Sequence, residues 1–210
     1  MIMMTKVKIC GIRRREDALL ACELGAAMIG MIFYPDSPRY VSEIEARNIV
    51  SSLPEDIIPV GVFVNPLFDE IKSVVEKVGI KGIQIHGKAN VEDTRKLDLK
   101  LIRAHRIDES FRFDTISDEE CDYILLDNKV NGLYGGTGSL FDWNLIPSHI
   151  DRETLILAGG LNPDNIVDAI LRVNPAIVDI SSGVESSPGI KDKSKLRKLF
   201  EAVEVANNEL

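Results

Sequence analysis

Eight times along this 210-residue chain, a short aliphatic or β-branched run gives way to a stretch of helical period. The runs end near residues 10, 33, 64, 86, 104, 127, 159 and 181, so successive ends lie 23, 31, 22, 18, 23, 32 and 22 residues apart. Each gap holds one strand, one helix and the turns between them. Strict alternation of this kind dictates parallel strands, because two parallel neighbours need a crossover that a helix supplies. Eight such units, uninterrupted by a linker or a shift in composition, predict one α/β domain over residues 1–210. That domain is a (β/α)8 barrel, a closed parallel eight-stranded sheet ringed by helices. An open doubly wound sheet would place a glycine-rich loop after the first strand. Cys10-Gly-Ile-Arg13 is no such loop.

Local punctuation supports the division. Ser42 is placed to cap a helix running to about Leu53, Gly79 to stop the next one, and Asn162 with Pro163 to open the seventh. A helix is also expected after the fifth strand and another near residues 141–146, following a glycine-rich loop at 132–138. The last helix is predicted from about Lys193 to Ala206.

A net charge of −8 argues against nucleic acid and anionic membrane surfaces as partners. It also means that an anionic ligand must be held by local donors. The apolar runs fall short of the 18 residues of a membrane span, and the first residues lack the build of a signal peptide. Three scattered cysteines suit a reducing compartment, and a cytoplasmic protein is expected. No His/Asp/Glu spacing suggests a metal centre. Monomer and homodimer are both compatible with a barrel of this size.

In such a barrel the chemistry sits at the C-terminal rim. Gly159-Gly160 and Ser181-Ser182-Gly183 end the seventh and eighth strands in small residues at helix starts. Their bare N–H groups form a cradle suited to phosphate. Alternation turns Lys8 and Cys10 of the first strand, and Asp179 and Ser181 of the eighth, toward the interior. Lys8 and Asp179 are therefore expected to pair within about 5 Å. Cys10 is either an inert buried thiol or, with lysine nearby to favour its thiolate, a base. Asp127 ends a buried strand and is either a cap or a proton donor. Arg39, in the rigid loop Tyr34-Pro-Asp-Ser-Pro-Arg-Tyr40, suits a carboxylate or phosphate. His86 either orients loops or touches substrate. Cys22 and Cys121 read as structural, Asp142 as a cap and Trp143 as packing, while the loop at 134–138 is either a mobile cover or a plain turn.

The ordered set Val7-Lys-Ile-Cys-Gly-Ile12, Phe33-Tyr-Pro-Asp-Ser-Pro-Arg-Tyr40, Gly61-Val-Phe-Val-Asn65 and Ile83-Gln-Ile-His-Gly87 continues with Leu125-Leu-Asp127 and Gly135-Gly-Thr-Gly138. Phe141-Asp-Trp143, Gly159-Gly-Leu-Asn-Pro163 and Asp179-Ile-Ser-Ser-Gly-Val-Glu185 complete it. Together these motifs closely resemble the phosphoribosylanthranilate isomerase family of tryptophan biosynthesis. The resemblance implies a cofactor-free (β/α)8 barrel that performs an Amadori rearrangement. It also implies Cys10 as the general base at C2, Asp127 as the general acid at the furanose oxygen, and Arg39 at the anthranilate end. Gly159, Gly160, Ser181, Ser182 and Gly183 would hold the phosphate. Rival readings keep the barrel but change its use. An indole-forming synthase would want a rim lysine, an epimerase would want metal ligands or two acids, and a non-catalytic phosphate binder would need neither Cys10 nor Asp127.

Overall fold

The computed structural model describes residues 4–89, 91–107, 111–116, 121–128 and 142–210. Eight parallel strands close into a barrel in sequence order. They are β1 (Lys6–Ile9), β2 (Met28–Ile32), β3 (Ile58–Val64), β4 (Gly82–His86), β5 (Lys100–Ile107), β6 (Tyr123–Asn128), β7 (Leu155–Leu157) and β8 (Ile177–Ile180). β8 pairs back onto β1 with Lys8 opposite Asp179.

Around the barrel run α1 (Arg15–Glu23), α2 (Glu43–Val50), α3 (Phe68–Val78), α4 (Val91–Arg95), α5 (Ile166–Val173) and α6 (Lys193–Glu209). The expected stops and starts are visible in the hydrogen bonds. Ser42 caps α2 reciprocally: its Oγ accepts from the Glu45 N–H, and its own N–H donates to Glu45 Oε2. Gly79 ends α3 in the left-handed conformation.

Several expectations need correction. Among the described residues, the stretches after β5 and β6 carry single 3₁₀ turns at Phe113–Thr115 and Trp143–Leu145, not α-helices. Both stretches do anchor to the core, through Phe111, Phe113 and Ile116 in the first and Trp143, Ile146 and Ile150 in the second, but through single turns. Asp142 still caps its turn, accepting from the Asn144 N–H, and Trp143 is buried in the core. The expected loop at 132–138, and the start of the helix expected at 141, lie outside the described residues. α5 begins at Ile166, after a turn that Asn162 opens by accepting from the Asp164 N–H. An unforeseen hairpin, β9 (Glu185–Ser187) with β10 (Ile190–Lys191), joins β8 to α6.

Two apolar layers follow from the period of two. Outward residues such as Val7, Ile9, Ile29, Ile83 and Leu126 pack against the helices. Inward residues such as Met28, Val60, Ile102, Leu125, Ile156 and Ile177 fill the barrel. Toward the C-terminal end the inward set turns polar, and there the packing opens into a pocket.

Candidate active site

The pocket at the rim is walled by residues of all eight strands or of the positions just past them. Among these are Cys10, Gln84, His86, Arg106, Asp127 and Asp179, with Gly159, Gly160, Ser181 and Ser182 along one side. Arg39 reaches it from the loop after β2. Of the residues expected at the site, Gly183 alone is set back from the pocket wall. It packs against the loop after β7, where the Leu161 carbonyl oxygen occupies the place a side chain would need. A glycine there lets the two strand-end loops lie in contact.

The cradle expected to hold phosphate falls on these loops. Gly159 and Gly160 both have positive φ, 87° and 72°. Their N–H groups have no backbone partner among the described residues. The Gly160 carbonyl accepts from the side-chain amides of Asn162 (3.2 Å) and Asn165 (3.0 Å), which fixes the peptide that follows. Ser181 and Ser182 face the same space, but they open a three-residue 3₁₀ turn (Ser182–Val184) instead of an α-helix. The donors here are therefore loop amides and hydroxyls, and any helix-dipole contribution comes from the β7 side alone.

Asp127 stands against that cradle: a side chain at Gly159 would come within 2.9 Å of its Oδ1. Burial, reinforced by the charge of Asp179, pushes its carboxyl up to about 6, although Arg106 opposes the shift. A carboxyl with that value still holds its proton in a useful fraction near neutrality, as a proton donor must.

Cys10 differs from expectation in one respect. Burial raises its thiol above the ordinary value and outweighs the charge of Lys8, which acts in the opposite direction. The lysine expected to favour the thiolate is there, held by Asp179 at 2.9 Å as the register requires. Its effect is to limit the cost of desolvation.

His86 is neutral. Burial, followed by the charge of Arg106, lowers its pKa to about 3. Its Nε2 lies 2.8 Å from the Gln84 amide nitrogen. An amide nitrogen only donates, so in this arrangement His86 Nε2 is the acceptor. Gln84 is a residue that sequence reasoning missed. Its position two before His86 on an interior-facing strand was the available signal, since a polar side chain at such a place must be satisfied or functional.

Arg39 is also more engaged than expected. Its Nε and Nη2 pair with both Glu185 oxygens at 2.9 and 2.7 Å, and Glu185 accepts from Lys191 Nζ at 2.9 Å. Lys191 further donates to the carbonyls of Cys10 (2.7 Å) and Ser181 (3.0 Å). One buried ammonium thus ties together the ends of β1 and β8. Among the described residues, no cluster of three His, Cys, Asp or Glu side chains could hold a metal ion.

A closed eight-stranded parallel barrel with a carboxyl and a thiol on the walls of one pocket at its C-terminal rim has the build of a barrel enzyme. Residues 7–202 match the family model described as N-(5'phosphoribosyl)anthranilate (PRA) isomerase, and the chain belongs to that family. A curated N-(5'-phosphoribosyl)anthranilate isomerase from Syntrophus aciditrophicus is 44% identical over 201 residues, covering 95% of this chain and 87% of that one. The crystal structure of phosphoribosyl anthranilate isomerase from Thermotoga maritima superposes with a TM-score of 0.86. It is 39% identical and covers 96% of this chain and 100% of that one. A phosphoribosyl anthranilate isomerase solved in complex with reduced 1-(o-carboxyphenylamino)-1-deoxyribulose 5-phosphate gives a TM-score of 0.84 at 37% identity. Its coverage is the same, 96% and 100%.

Proposed function

We propose that this chain converts N-(5'-phosphoribosyl)anthranilate into 1-(2-carboxyphenylamino)-1-deoxyribulose 5-phosphate, the Amadori step of tryptophan biosynthesis, with Asp127 as acid and Cys10 as base. The observation that carries the assignment of roles is the shared pocket: Cys10 just past β1 and Asp127 on β6 line it together, beside the cradle after β7 and β8.

The steps balance as follows. The protonated carboxyl of Asp127 gives its proton to the furanose oxygen, the C1–O bond breaks, and the anilino nitrogen's lone pair forms an iminium at C1. The Cys10 thiolate takes the C2 proton, and the electron pair left behind makes the C1=C2 bond of an enolamine. Loss of the C2 hydroxyl proton and gain of one at C1 give the ketose amine, so no proton is consumed overall.

The cradle tethers the phosphate through loop amides and serine hydroxyls. Arg39 faces the anthranilate carboxylate, its guanidinium plane fixed by Glu185. Neutral His86 adds no positive charge to the pocket wall. Both substrate and product are free phosphorylated metabolites, so we place the enzyme in the cytoplasm, acting as a monomer or homodimer.

The test is the fluorescence decay of freshly made phosphoribosylanthranilate with and without the protein. Protein-dependent decay with one equivalent of ketose product is the expected result. Decay at the spontaneous rate overturns the proposal.

A further inference from the structure

Lys8 is fully buried beneath the pocket, and the mechanism above gives it no part. Its Nζ lies 2.9 Å from Asp179 Oδ2, while Oδ1 of that carboxylate is buried with no hydrogen-bond partner among the described residues. Cys10, just past the end of β1, is the next inward residue along the chain. Across from both, Gly30 on β2 has no side chain, and the gap matters. A Cβ at residue 30 would stand 2.9 Å from Cys10 Sγ and 3.0 Å from Lys8 Nζ. Sulfur and ammonium therefore border one small space and are less than about 6 Å apart, close enough for opposite charges to interact strongly in a protein interior.

Other titratable or charged groups are turned toward the same pocket: Asp127 on β6, neutral His86 on β4, Arg106 on β5 and Arg39 from the loop after β2. Lys191 approaches Cys10 from the hairpin and binds its carbonyl. Of the cations, Lys8 lies across the gap from the sulfur itself. A lysine ammonium with 0% exposure needs compensation, and Asp179 supplies it in the resting protein. When the thiol ionises, a second anion enters the reach of that ammonium.

We propose that Lys8 is a positioning residue for the reaction: across the gap left by Gly30, its buried ammonium stabilises the Cys10 thiolate, and Asp179 sets how much of that charge the sulfur feels. This rests on the reading of Cys10 as the base. The directions of influence agree, since Lys8 favours the thiolate and Asp179 opposes it.

The experiment measures the pH dependence of Cys10 alkylation by iodoacetamide. It uses the full chain with Cys22→Ser and Cys121→Ser, which leaves Cys10 as the only thiol. Lys8→Met should raise the midpoint by about one pH unit or more. The rising limb of kcat should move with it, and KM should stay near its parent value. Gly30→Ala, which keeps both charges but separates them, should raise the midpoint as well. Asp179→Asn should lower it. Should Lys8→Met fail to fold, the opposed shifts of the other two variants carry the test. A merely structural disturbance moves Gly30→Ala and Asp179→Asn in the same direction or not at all, and either result overturns the role of Lys8. Cys10→Ala in the isomerase assay separates the two claims. Full turnover there overturns the base assignment, whereas an inactive Cys10→Ala with unmoved midpoints overturns the part of Lys8 alone.

Discussion

Arg39 and Glu185 are 146 positions apart in the chain and share a two-point ion pair, Nε to Oε1 at 2.9 Å and Nη2 to Oε2 at 2.7 Å. The pair fastens the loop after β2 to the hairpin after β8. Burial works against the Glu185 charge, but hydrogen bonds from Arg39 and the charge of Lys191 prevail and hold its carboxyl below the usual range. Replacing Glu185 with Leu leaves two buried cations uncompensated. The expected cost is about 3–5 kcal/mol of unfolding free energy, the range for breaking a buried pair from one side. Urea unfolding at pH 7 measures it. Because the folded carboxyl titrates below its unfolded value, the Glu185 contribution is present above about pH 4.5 and fades as pH falls further.

Asp127 should trade stability for activity. Its folded value of about 6 lies above the ordinary 3.8, so charging it in place costs stability fully above pH 6 and not at all below about pH 4. Asp127→Asn is expected to stabilise the protein at pH 8 by about 1–3 kcal/mol and to change little at pH 4. Thermal melts at the two pH values check this. Equal shifts at both would show that the carboxyl is not strained by burial.

His86 contributes in the opposite sense. Its folded value of about 3 lies below the ordinary 6.5, so the unfolded chain takes up a proton that the folded one refuses. Its contribution is intact above pH 6.5 and is lost progressively toward pH 3. His86→Gln should flatten the acid limb of stability over that window, as read from denaturant midpoints at pH 7, 5 and 4.

Gly183 brings the two halves of the cradle together. Gly183→Ala would drive a methyl into the Leu161 carbonyl and the Asn162 side chain. Phosphate affinity should suffer first: KM is expected to rise about 10–100-fold, corresponding to one or two lost charge-assisted hydrogen bonds. Steady-state kinetics and competition by inorganic phosphate check the loss.

Much of this molecule is readable from residue order alone, for identifiable reasons. β3 and β4 fall where expected because glycine, proline or asparagine bounds each aliphatic run. The Lys8–Asp179 pair follows from period two and barrel closure. The stretches after β5 and β6 mislead because unit spacing constrains the length of a crossover but not its helicity. The hairpin Glu185–Lys191 is too short and polar to carry a period. Glu185, Lys191 and Gln84 pass unnoticed since their importance lies in partners brought from other strands, which a linear pattern does not contain. The balance of effects at Cys10 is likewise invisible in the sequence: a neighbouring lysine can be read there, whereas the depth of burial opposing it cannot.

The central claim is that Asp127 and Cys10 divide the proton transfers between them, and single-turnover decay of phosphoribosylanthranilate in Asp127→Asn and Cys10→Ala tests it most directly. Each variant is expected to lose about 10²–10⁴-fold in rate, roughly 3–5 kcal/mol of transition-state stabilisation, with substrate affinity close to the parent. A rate within about threefold of the parent in either variant, at saturating substrate, would contradict the account.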